Sequence, residues 1–68
     1  MDKRIAKEMH NLLERFGRIF DEAGELTLQI TDPDEARAVR RVWGNMLECT
    51  VDLSLAIYKV DPSLRPDD

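Results

Sequence analysis

His10 is the single histidine and Cys49 the single cysteine in a chain of 68 residues. These are the side chains best suited to acid–base, thiol or metal chemistry, and each needs companions to perform it. Glu14 stands one turn after His10 and Glu8 two residues before it. The carboxylate–histidine pair of bundle di-metal sites places Glu three residues ahead of His, so the spacing Glu8-Met9-His10 does not match it. His10 therefore reads as a solvated or boundary histidine. Cys49 lies between Met46 and Leu53 in an apolar repeat. A reactive thiol wants a histidine or a cationic setting beside it. In an antiparallel pair of helices His10 would face residues 53–57, about a turn from Cys49, with no third group to orient the two. Cys49 is expected to be a core thiol, behaving as a small hydrophobe. The chain has no glycine-rich phosphate loop, nucleophile elbow or zinc-ligand spacing. The expectation is a protein that is not an enzyme and holds no metal or cofactor.

Two other groups of residues point to binding. Arg37, Arg40 and Arg41 cluster at the start of the second half of the chain, where they would form an anionic-partner patch able to grip phosphate or carboxylate. Asp34 and Glu35 beside them offer ion pairs instead, and no aromatic residues interleave to stack bases. Trp43, the one tryptophan, is either a core residue or an anchor for a partner, since tryptophan is enriched where binding energy concentrates.

Composition narrows the classes. The net charge of −4 argues against a general nucleic-acid binder, and 43% hydrophobic with 35% charged residues favours a folded helical chain with solvated faces over disorder. No apolar run approaches the roughly 18 residues of a membrane span. The start, Met1-Asp2-Lys3-Arg4, has no apolar stretch after it of the kind a signal peptide needs. One unpaired cysteine cannot staple the chain and fits a reducing compartment. A cytoplasmic protein is expected.

The elements that must position these residues are two helices. Ile5, Met9, Leu12, Phe16, Ile19, Ala23, Leu26 and Ile30 alternate steps of four and three, a seam with the period of a coiled coil, and Ala6, Leu13 and Phe20 widen it. Glu14 and Arg18 stand at the spacing of a helical ion pair. Gly24 offers a possible helix end, and Glu25-Leu26-Thr27-Leu28-Gln29-Ile30 alternates as a short strand would. The uninterrupted seam favours helix over about 3–30, with Leu28 the residue that fits worst. Gly17 and Gly24 share one stripe, tolerated surface glycines or a groove for another helix.

Thr31-Asp32-Pro33-Asp34-Glu35 is the sharpest local signal: an N-cap, a proline suited to the first helical position, and acids that complement the helix dipole, with Glu35 placed for a capping box. A second helix is expected over about 33–60. Its seam is Val39, Val42, Met46, Cys49, Leu53, Ala56 and Val60, flanked by Trp43, Thr50 and Ile57, and it ends before Pro62. Residues 1–60 thus form an all-α antiparallel two-helix hairpin, and residues 61–68 a mobile C-terminal tail.

Two helices cover one stripe on each other. Leu47, Val51, Leu55 and Tyr58 form an apolar ridge beyond that stripe, and together with Trp43 they are the expected partner or dimer interface. The economical arrangement is a homodimer of hairpins forming a four-helix bundle with the second helix central. In length and layout the chain resembles the Rop plasmid-copy-number regulators, also short hairpin dimers, though the two share no motif. That resemblance implies RNA binding as the alternative to the primary expectation, a small adaptor or regulator acting through protein–protein binding and self-association. A metal or thiol site across the dimer axis ranks third.

Overall fold

The computed structural model describes residues 1–66. Two long helices run antiparallel against each other, α1 over Lys3–Thr27 and α2 over Pro33–Val60, and Pro62–Leu64 adds a turn of 3₁₀ helix. Among the described residues there is no strand. An all-α helical hairpin is the fold.

Each helix begins where a side chain satisfies a free N–H group. Asp2 accepts a hydrogen bond from the Ile5 amide at 2.8 Å, and Asp32 accepts one from the Asp34 amide at 3.0 Å. The second cap is followed at once by Pro33, and Asp34 and Glu35 fill the first turn as expected. Asp61 ends α2 in extended geometry and its carboxylate accepts from both the amide and the hydroxyl of Ser63, the latter at 2.6 Å.

α1 stops at Thr27, three residues before the expected end. The Leu28 amide still bonds the Gly24 carbonyl, but Gln29 and Ile30 bond the carbonyls of Leu26 and Thr27, three residues back. This tightening turns the chain toward Asp32, and it frees Leu28, which no helix face could bury. Glu25–Thr27 are helical and the following residues are turn, so the strand alternative is not realised.

The hairpin seam also differs from expectation. Ala6 and Ile57, both fully buried, and Ala36 and Thr27, nearly so, mark the line of contact. Labelling Ala6 as position a of a seven-residue repeat places Ala6, Leu13, Phe20 and Thr27 at a. On α2 the matching residues are Ala36, Trp43, Thr50 and Ile57. Apart from Thr27 and Ala36, these are the residues that flanked the expected seam. Phe20 meets Trp43 edge to face at 6.0 Å, and Phe16 lies 6.5 Å from the same ring. That contact sets the register, with Leu13 level with Thr50, Ala6 with Ile57 and Thr27 with Ala36.

The physical reason is that each helix carries apolar residues at three positions, a, d and g, while one neighbour can cover little more than a. Small residues at both ends of the a stripe let the helices close, and the aromatic rings fill the middle. The two threonines on this stripe satisfy their own hydroxyls: Thr27 donates to the Ala23 carbonyl at 2.7 Å and Thr50 to the Leu47 carbonyl at 2.6 Å. No buried side-chain polar atom among the described residues lacks a partner.

Candidate interaction surface

With the a stripe turned inward, nine of the fifteen expected seam residues face water, while Ile5, Phe16, Ala23, Ile30, Val39 and Val60 are half-buried. Leu12, Ile19 and Leu26 occupy g on α1, and Val42, Cys49 and Ala56 occupy g on α2; all six are exposed, Leu26 by 64%. Met9, Met46 and Leu53 at d are each nearly two-fifths exposed. An antiparallel pair has an approximate two-fold axis normal to the plane of its helices, which carries g on one helix to g on the other on the same side. The six g residues and their d neighbours therefore share one broad face. The opposite face of α1 carries Lys7, Glu14 and Asp21. α1 is thus two-sided, apolar on one face and charged on the other.

The ridge lies elsewhere. Leu47, Val51 and Leu55 are exposed on the side of α2 away from the g positions. Tyr58 is half-buried, with the His10 ring 6.3 Å away and the Arg65 guanidinium 5.8 Å over its own. Leu55, Tyr58, Lys59 and Arg65 help to line an open cleft of about 790 Å³ at the end of α2. Trp43 separates from the ridge: it is half-buried against Phe16 and Phe20, inside the hairpin. A shallow groove of about 290 Å³ runs beside it, lined by Ala38, Val39 and Val42.

The residues with chemical potential are kept apart. His10, with a side chain 20% exposed, holds Glu14 through Nε2 at 3.1 Å. Glu14 thus reaches back to His10 instead of forward to Arg18. His10 packs beside Tyr58 on one side of the seam, whereas Cys49 is exposed at g on the other, so no thiol–imidazole pair forms. Cys49 is a surface thiol and not the core thiol expected, because the seam runs one position over. Among the described residues no three His, Cys, Asp or Glu side chains converge as a metal site would require. Arg37, Arg40 and Arg41 are exposed, and Arg37 pairs with Asp34 at 3.5 Å. Arg4 pairs with Glu8 at 3.4 Å.

Asp61 sits where its neighbours favour the ionised carboxylate. The Ser63 hydroxyl bonded to it lowers its pKa below the usual 3.8, against an opposing effect of desolvation, with the Ser63 amide and the charges of Lys3 and Lys7 adding to the lowering.

No family model, curated protein or solved structure matches the chain. No described helix is long and apolar enough to cross a membrane. The d and g residues escaped sequence reasoning as a surface because their regular spacing assigned them to the hairpin interior. The signal that would have separated them is the ends of the a stripe, where Ala6, Thr27 and Ala36 are all small enough for two helices to meet.

Proposed function

We propose that the chain is a small, non-enzymatic helical adaptor or regulatory protein of the cytoplasm that acts by self-association and protein binding. The observation that carries this reading is the exposed d and g face. Covering the 38–64% still exposed at each of Leu12, Ile19, Leu26, Val42, Met9, Met46 and Leu53 contributes roughly 1 kcal/mol apiece, about half the value for complete burial. The ridge of Leu47, Val51 and Leu55 offers fewer than half as many such side chains. Self-association is therefore assigned to the face, which leaves the ridge on the outside of the assembly for a protein partner. The uncompensated acidity of the chain, −4, and the pairing of Arg37 with Asp34 support a protein partner over RNA.

The test is solution mass by light scattering on the wild type, Ile19→Asp and Leu55→Asp. The expected result is a wild-type homodimer, split to monomer by Ile19→Asp and left intact by Leu55→Asp. A wild-type monomer at every accessible concentration overturns the self-association reading. A dimer split by Leu55→Asp alone would move the interface to the ridge.

A further inference from the structure

We infer that the cleft at the C-terminal end of α2 is a ligand site, and that it takes a small monocarboxylate with an apolar body. Its volume of about 790 Å³ falls in the roughly 300–1,000 Å³ range of small-molecule sites. The cleft shares only Ala56 with the d and g face, so the site stands whether or not the chain self-associates.

The way α2 ends builds the cleft. Asp61 leaves helical geometry, and its carboxylate accepts from the amide and the hydroxyl of Ser63 at 3.1 and 2.6 Å. Two backbone bonds then close the 3₁₀ turn, from the Leu64 amide to the Asp61 carbonyl and from the Arg65 amide to the Pro62 carbonyl. Leu64 is half-buried, which anchors the turn. The chain is bent back far enough for the Arg65 guanidinium to lie 5.8 Å over the Tyr58 ring. Pro62 and Arg65 thereby complete a wall begun by Leu55, Ala56, Tyr58 and Lys59.

The lining names the ligand. Leu55, Ala56, Tyr58 and Pro62 offer apolar surface, and the two charged residues, Lys59 and Arg65, are both cations. Asp61, which lies between them in the chain, has its carboxylate bonded to Ser63. Among the described residues no ion pair holds Lys59 or Arg65. In a chain of net charge −4 this is a local reversal of sign, and a cleft lined by one sign of charge draws the other. Resting over Tyr58, the guanidinium is positioned without committing its N–H fork to a carboxylate of its own. That fork pairs with a planar carboxylate through two parallel bonds. Two cations in an otherwise acidic chain suit a monoanion better than a doubly charged phosphate.

Octanoate is the probe, added to the full-length chain and followed by amide NMR shifts. It should shift the amides of residues 55–65 with a dissociation constant on the order of 1 mM, as expected of about ten non-hydrogen atoms in an open site. Octanamide, with the same body and no charge, should bind about tenfold more weakly. Lys59→Gln and Arg65→Gln should each weaken octanoate about threefold; both side chains are exposed, so neither change threatens the fold. Arg18→Gln, on α1 and about three turns from the cleft, should leave the affinity unchanged. Equal binding of octanamide, shifts centred on Leu12, Ile19 and Val42 instead, or indifference to both Lys59→Gln and Arg65→Gln would each overturn the assignment. So would tighter binding of a short peptide with a free C-terminal leucine, which would make the occupant a protein terminus. Replacing Asp67 and Asp68 by Asn should raise the affinity by less than about fivefold. A larger gain would name the chain's own carboxylates as the occupant.

Discussion

Burial in this hairpin is concentrated in very few side chains, and that makes residue-scale predictions unequal. Among the described residues Ile57 is the one large side chain with no exposure at all. Its truncation to Ala removes apolar surface and leaves a cavity at the level of the small Ala6. Ile57→Ala should cost about 3 kcal/mol, read as a lower urea midpoint with an unchanged slope. Leu28, 83% exposed in the turn, has nothing to lose, and Leu28→Ser should change stability by less than about 0.5 kcal/mol. The same scale shows where sequence stops speaking. Cys49 and Trp43 both stood beside strong apolar neighbours, yet one is on the surface and the other is half-buried against two phenylalanines. With apolar residues at a, d and g alike, spacing gives the width of the stripe but not the line along which the first neighbour will dock.

At the scale of elements, the legible features were those made by local chemistry. Asp32-Pro33 opens α2 where expected, because a cap and a fixed proline φ act within one turn. The end of α1 was not legible in the same way. The seam spacing continues through Leu26 to Ile30, and only the three-residue backbone bonds of Gln29 and Ile30 show that the helix has already turned off. The glycines of α1 illustrate the reverse case. A Cβ built at Gly17 or Gly24 meets nothing within 4 Å, and neither residue has positive φ. Each Gly→Ala change should therefore stabilise the hairpin by about 0.5–1 kcal/mol in thermal or urea unfolding. Loss of stability in either variant would mean that another helix packs closely on that stripe, the groove alternative. The C-terminal 3₁₀ turn carries its own pH dependence. A carboxylate whose folded pKa is depressed contributes stability above its unfolded value and loses it as pH falls through the folded one. Order at Ser63 should therefore fade only below pH 3.8, and Ser63→Ala, which removes the largest cause of the lowering, should bring the Asp61 titration back up toward 3.8. A carbon-detected titration of the Asp61 carboxyl reads both.

For the whole molecule the decisive fact is how little a single hairpin buries. A chain of 68 residues has a small surface gain on folding even in the best case, and among the described residues only Ala6, Ala36, Ile57 and Thr27 reach full or nearly full burial. Such a core does little against the conformational entropy of more than fifty helical residues, at roughly 1–2 kcal/mol each for the backbone alone. If the d and g face closes on a second copy, folding and association become one equilibrium, and stability then follows mass action. The midpoint of thermal unfolding should rise with protein concentration in the wild type, by a few degrees for each tenfold increase. Ile19→Asp puts a charge into that interface without touching the a stripe, so it should lower the midpoint and abolish its dependence on concentration. Leu55→Asp, out on the ridge, should leave the dependence in place. A wild-type midpoint that does not move between micromolar and millimolar chain would mean that the helices hold together on the a stripe alone, and that the apolar face serves something other than a second copy.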